Sequence, residues 1–127
     1  MSEKSIAQKL SIKPGYKFLL INSPQGYLAR MGALPERTLI LSDSSCTVEV
    51  IQVFIANRAE LETQLPRLKE LLASKGMIWV TYHKSTSKVK TDINRDTINA
   101  YAHSIGLEGV AMILIDDDWS SLRLNLI

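Results

Sequence analysis

The amino-acid sequence predicts a doubly wound α/β domain: three layers around a mostly parallel sheet of about six strands, with an antiparallel C-terminal strand. Three observations carry this. Short, nearly continuous apolar runs at 17–21, 48–55, 77–82 and 110–115 have the composition of strands buried on both faces. Between them lie segments with helical spacing, the two longer ones opened by residues suited to capping a helix. The last segment alternates Leu122, Leu124 and Leu126 with Arg123 and Asn125, the pattern of a strand with one wetter face. A chain of 127 residues suits one domain with a single core, residues 1–127.

The elements follow in order. Ile6, Ala7 and Leu10 share a face of a short lead-in helix, and Lys13-Pro14-Gly15 forms a turn. Residues 17–21 make the first strand, and Asn22-Ser23-Pro24-Gln25-Gly26 the turn after it. Residues 25–31 form a short helix that Gly32 ends. The second strand is 38–41 and the third 48–55. Asn57 caps a long helix, with Glu60 placed to reach back in a capping box. Leu61, Leu65, Leu68 and Leu72 form its core stripe, and Pro66 within it predicts a kink or a break. Gly76 follows the expected helix end, and 77–82 is the fourth strand. After a polar loop, Asp92 or Asn94 caps a helix whose Ile98, Tyr101, Ala102 and Ile105 share a face, and Gly106 ends it. The fifth strand, 110–115, turns through Asp116-Asp117-Asp118-Trp119 into the last. That short connection favours antiparallel pairing.

One link is unusual. Only residues 42–47 join the second and third strands, whereas a parallel crossover normally takes a dozen residues or more. Either the two strands form a hairpin, or a taut segment crosses one strand. Six extended residues reach roughly 20 Å, which suffices for the crossing. Both strands are too apolar for an exposed hairpin, which favours the crossing.

Composition narrows the function classes. A net charge of +2 is too small to point to nucleic acid as a partner. Cys46 is the single cysteine, so no intrachain disulfide forms. No apolar run approaches the roughly 20 residues that cross a bilayer, and no long apolar run follows residues 1–5, so no secretory signal is expected. No membrane association and a cytoplasmic location are the expectations.

Residues 71–80, Leu-Leu-Ala-Ser-Lys-Gly-Met-Ile-Trp-Val, resemble the centre of class I methyltransferases, where a helix ends in a Lys-Pro-Gly-Gly-like turn before a strand. The closing antiparallel pair is similar to their last two strands. This resemblance implies a Rossmann-like, methyltransferase-like fold with S-adenosylmethionine at the first turn. The chain departs from the pattern at that turn. The family's Asp/Glu-x-Gly-x-Gly is replaced by Asn22 to Gly26, where Pro24 removes one donor and one glycine remains. A strand–helix unit is also missing between the second and third strands. Asp43 stands where the family's ribose-binding acid would be, or is simply a turn residue. S-adenosylmethionine is therefore disfavoured, and no cofactor is expected. The chain also resembles a small bacterial family of unknown function, in Lys13-Pro14-Gly15, Asn22-Ser23-Pro24, 79–84 with Asp92, and 116–120. Members of that family often have proline before the lysine, where this chain has His83.

In open α/β sheets ligands lie beyond the carboxyl ends of the strands. The ligand-binding candidates at that edge are Asn22, Ser23, Gly26, His83, Lys84, Ser85, Lys88, Asp116 and Trp119. Residues 83–90 hold three lysines, three hydroxyl residues and no acid. They read either as a solvated loop or as a grip on a small anionic ligand. Asp116-Asp117-Asp118 reads as a charged turn rather than a metal site, because consecutive strand residues point alternately; no metal is expected. Trp119 either stacks on a ligand ring or packs the hairpin corner. Cys46, His83 and Asp116 make a nucleophile constellation only if Cys46 lies within reach of His83. Otherwise Cys46 is a small buried or half-buried residue, and His103 a surface one. The leading expectation is a methyltransferase-like domain without catalysis that binds a small ligand or a partner. The alternatives are a divergent transferase with an adenosyl or nucleotide cofactor, and a structural subunit of a larger assembly. An apolar fifth strand at the sheet edge makes a homodimer an expected partner state.

Overall fold

A computed structural model describes residues 5–42, 46–84 and 91–127. The elements run α1 (Ile6–Lys9), β1 (Lys17–Ile21), α2 (Tyr27–Arg30), β2 (Leu39–Leu41), β3 (Val48–Phe54), α3 (Arg58–Glu70), β4 (Leu72–His83), α4 (Arg95–Ser104), β5 (Leu107–Leu114) and β6 (Trp119–Leu126). They build one six-stranded sheet in the order β2-β1-β3-β4-β6-β5. The first four strands in that order are parallel, and β6 runs antiparallel between β4 and β5. The single mixed sheet is the architecture the sequence predicts.

Apolar side chains leave both faces of the sheet, so each face carries its own core. Helices α3 and α4 cover Ile51, Val53, Ile78, Val80, Leu122 and Leu124. Helices α1 and α2 cover Phe18, Leu20, Val50 and Trp79. The Trp79 indole N–H donates to the Leu10 carbonyl at 3.0 Å, which fixes the α1 end over the sheet. Ser5 caps α1 in a reciprocal capping box with Gln8.

Strands β2 and β3 lie on opposite sides of β1 and both run parallel to it. The link between them therefore passes one strand, the second of the two routes considered above. Its short span explains how. Leu41 is level with Leu19, and Val50 with Phe18, so Val48 begins only three residues lower. The drop and the two strand spacings together amount to roughly 14 Å, well inside the reach of six residues.

Three local expectations are corrected. Pro66 does not split α3, which runs unbroken from Arg58 to Glu70. The missing N–H at Pro66 frees the Glu62 carbonyl, and the Tyr101 hydroxyl of α4 donates to it at 3.3 Å. Helix α3 also ends six residues before Gly76, and Leu72 already pairs with Val48 in the sheet. Leu72 reaches the leucine core from β4, not from the helix. Gly76 instead serves the irregular stretch between the Leu72 and Met77 pairings: a Cβ there would sit 2.7 Å from the Glu49 carbonyl oxygen and 3.2 Å from that of Ala73. Finally, Cys46 is exposed, just before the amino end of β3. His83 ends β4 beyond the Phe54–Thr81 level. The two lie roughly 30 Å apart along the sheet, so no Cys-His nucleophile pair exists.

Asn94, rather than Asp92, caps α4, in a capping box with Thr97. Asp92 accepts from the Arg58 backbone N–H at 2.8 Å, and the Thr91 hydroxyl donates to the Ala56 carbonyl at 2.6 Å. The start of α4 is thereby tied to the start of α3.

Candidate functional site

At the carboxyl edge, β1 enters its turn through Asn22 in the left-handed region, at φ 60°. Asparagine tolerates that conformation through local side-chain bonding. Gly26, at φ 81°, stands before α2 without a side-chain cap. Asn22, Ser23 and Gly26 are exposed. Tyr27 then turns inward and is buried. Its hydroxyl donates to Gln52 Oε1 at 2.9 Å, Gln52 Nε2 donates to Thr81 Oγ1 at 3.0 Å, and Thr81 Oγ1 lies 2.9 Å from Ser121 Oγ. Gln52, Thr81 and Ser121 are fully buried, so this chain satisfies polar groups that would otherwise cost stability. Burial pushes the Tyr27 phenol well above its usual range, against the opposing bond to Gln52.

The same face carries an aromatic row. Tyr27 packs edge-on against Phe54, with centroids 4.8 Å apart, and Phe54 edge-on against Trp119, at 4.9 Å. His83 stacks on Trp119 at 3.9 Å. The His83 Nδ1 is buried and has no hydrogen-bond partner among the described residues. Arg30, at the end of α2, forms an ion pair with Asp116 in the β5–β6 turn. Asp116 Oδ1 also accepts from the backbone N–H groups of Asp118 at 2.8 Å and Trp119 at 3.0 Å. Partial burial raises the Asp116 carboxyl, but these donors outweigh it and hold its pKa below the usual value. The crevice between the β1 turn and the β6 turn is thus bridged by Arg30–Asp116 and packed by aromatic rings.

Lys84 takes a different place. Its backbone N–H donates to the Asp118 carbonyl at 2.9 Å, which holds the end of β4 against the β5–β6 turn. The residue also lines a cavity of about 440 Å³ with Tyr82, Asn94, Arg95, Met112 and Ser120. This cavity lies on the α3–α4 side of the sheet, at the start of α4, because Tyr82 belongs to that core while His83 faces Trp119 on the other. Tyr82, whose hydroxyl donates to Met112 Sδ at 3.4 Å, is also raised by burial. A second cavity of about 230 Å³ continues the groove along β5, past Arg95, Asn99, Gly109 and Met112. The residues lining the first cavity include a lysine, an arginine, an asparagine, two hydroxyl residues and one acid, Asp96.

The sequence-derived candidates therefore divide. Asn22, Ser23, Gly26, His83, Asp116 and Trp119 gather on or beside the α1–α2 face, and Lys84 opens to the opposite one. Ser85, Lys88 and Asp43 lie outside the described residues. Tyr82, Arg95 and Ser120 are not among the sequence candidates. The signal for Tyr82 is its two-residue spacing from Lys84, which sets both on one face of a strand. Among the described residues, no group of three His, Cys, Asp or Glu side chains is arranged to hold a metal ion. Nor is any helix long and apolar enough to cross a membrane.

Compared by sequence, the chain matches no family model and no curated protein. The resemblance to a bacterial family of unknown function therefore gains no support. Compared by structure, it is similar to the ribosomal protein L11 methylase of Lactobacillus delbrueckii subsp. bulgaricus, with a TM-score of 0.63 at 12% identity, over 94% of this chain and 74% of that one. It is also similar to the M1A22 tRNA methyltransferase TrmK of B. subtilis, with a TM-score of 0.57 at 14% identity, over 98% of this chain and 67% of that one. At such identities the likeness concerns architecture alone: this chain has a methyltransferase-like α/β fold.

Proposed function

We propose that this domain binds a small anionic ligand and transfers no methyl group, and that the ligand occupies the Lys84 cavity rather than the first turn. One observation carries the reading. The crevice beyond β1 and β3 is packed by Tyr27, Phe54 and Trp119, while an open cavity with Lys84 and Arg95 at its wall lies across the sheet. The first turn supports it further, since Pro24 lacks the N–H that a phosphate or adenosyl group would use. Lys84 and Arg95 supply charge-assisted donors, and Ser120 and Tyr82 supply hydroxyls that orient the bound group.

The test is a thermal-shift screen with S-adenosylmethionine, S-adenosylhomocysteine, nucleotides, sugar phosphates and inorganic phosphate. A phosphate-bearing compound is expected to raise the midpoint. Lys84→Ala is expected to weaken its affinity about tenfold or more, the worth of one charge-assisted bond. Gly26→Ala strains a left-handed backbone position, so its shift is read against its own ligand-free midpoint. It is expected to retain the ligand response. Stabilisation by S-adenosylmethionine that is lost in Gly26→Ala and kept in Lys84→Ala would restore the transferase reading. No response to any compound would remove both.

A further inference from the structure

We propose that β5 pairs antiparallel with β5 of a second copy, joining two sheets across a twofold axis and walling the outer side of the α4–β5 groove. Strand β5 is one of the two edges of the sheet, next to β6 only, and at eight residues it is much longer than the three-residue β2 at the other. An edge strand presents unpaired N–H and C=O groups, and soluble proteins usually guard it with charges, proline or a covering element. Here Val110, Met112 and Leu114 are 47%, 45% and 53% exposed. Residues 109–114 contain no charge and no proline. Lys9 of α1 donates to the Leu114 carbonyl at 3.1 Å and Asn99 Oδ1 of α4 accepts from the Gly109 N–H at 2.9 Å, which leaves residues 110–113 between them without such a side-chain partner on their backbone.

The charges at the two ends of the strand select a second copy as the occupant. Glu108, near the amino end, is the only charged residue in β5. It pairs with Asn125 and so lies on the α1–α2 face, opposite to Leu122 and Leu124. Lys9 stands on that same face at the carboxyl end. An antiparallel pair reverses one strand against the other and sets each Glu108 toward the carboxyl end of its partner's β5, on the face that carries the partner's Lys9. Two symmetry-related ion pairs then flank an apolar centre, as an isologous interface requires. Within one chain, Glu108 and Lys9 form no ion pair. On the other face, Met112 lines both cavities of the groove beside β5, so the second copy closes their open flank.

The test is the mass in solution, by light scattering and sedimentation at high micromolar concentration. The expected mass is twice the 14.2 kDa of the chain. Val110→Lys with Leu114→Lys, both on exposed sites, is expected to give a monomer with unchanged circular dichroism. Glu108→Lys and Lys9→Glu are each expected to weaken dimerisation about tenfold, because every pair occurs twice. Combining the two is expected to restore it, a rescue that general loss of structure would not produce. A wild-type monomer overturns the proposal. So does a dimer that survives the edge lysines, or a charge swap that fails to rescue.

Discussion

A proline at the ninth position of a helix leaves the carbonyl four residues earlier without its donor. In α3 the loss falls on Glu62, and the Tyr101 hydroxyl answers it from α4. Sequence alone shows the missing donor at Pro66, and therefore predicts a kink. The replacement donor comes from 35 residues further on, in a different helix, which no local pattern reveals. Tyr101→Phe is expected to cost about 1 kcal/mol in this background. In Pro66→Ala, where the backbone N–H is restored, the same change is expected to cost much less. A double-mutant cycle by urea unfolding measures the difference, and equal costs in both backgrounds would mean that the hydroxyl does not serve Glu62. Gly76 makes the same point in another way. Its place in the sequence suggests a helix end, yet two carbonyl oxygens of β3 and β4 crowd the space where a side chain would start.

At the scale of elements, the β5–β6 turn carries the clearest change of role. Asp116 is a ligand candidate when read from sequence, because it lies at the carboxyl edge. In the structure its carboxylate is occupied by Arg30 and by the N–H groups of Asp118 and Trp119. It ties α2 to the hairpin and shapes the turn that presents Trp119 to Phe54. Because its folded pKa lies below the unfolded value of 3.8, it stabilises the fold above that pH. This contribution is lost as pH falls from about 3.8 through the lowered value. Asp116→Asn is expected to be less stable than wild type near neutral pH, with the gap narrowing in strong acid. Urea midpoints measured across the acid range check this, and a constant gap would argue against the ionised carboxylate as the cause. The strands around this turn were legible because continuous apolar runs have few other uses in a chain of this size. Their side-chain partners were not, since Tyr27, Gln52, Thr81 and Ser121 meet only across three strands and a helix.

At the scale of the whole molecule, sheet polarity decides which residues meet. Parallel order sets Cys46 at the amino edge of the sheet and Lys84 at the carboxyl edge. Cys46→Ser is therefore expected to leave the ligand-induced thermal shift of the Lys84 cavity unchanged. A lost shift would mean that the ligand lies elsewhere. Strand alternation then separates His83 from Lys84, neighbours in the chain, onto opposite faces of the sheet. The amino-acid sequence by itself determined the α/β class, the antiparallel close and the absence of a glycine-rich first turn, because these depend on local composition and short spacing. It also favoured the crossing between β2 and β3, because both strands are too apolar for an exposed hairpin and six extended residues suffice to pass one strand. Only the tertiary structure decided that aromatic rings pack the crevice beyond β1 and that the Lys84 cavity opens on the other face. Those outcomes depend on which distant segments pack together, and burial there is set by the sum of all neighbours rather than by any one stretch of chain.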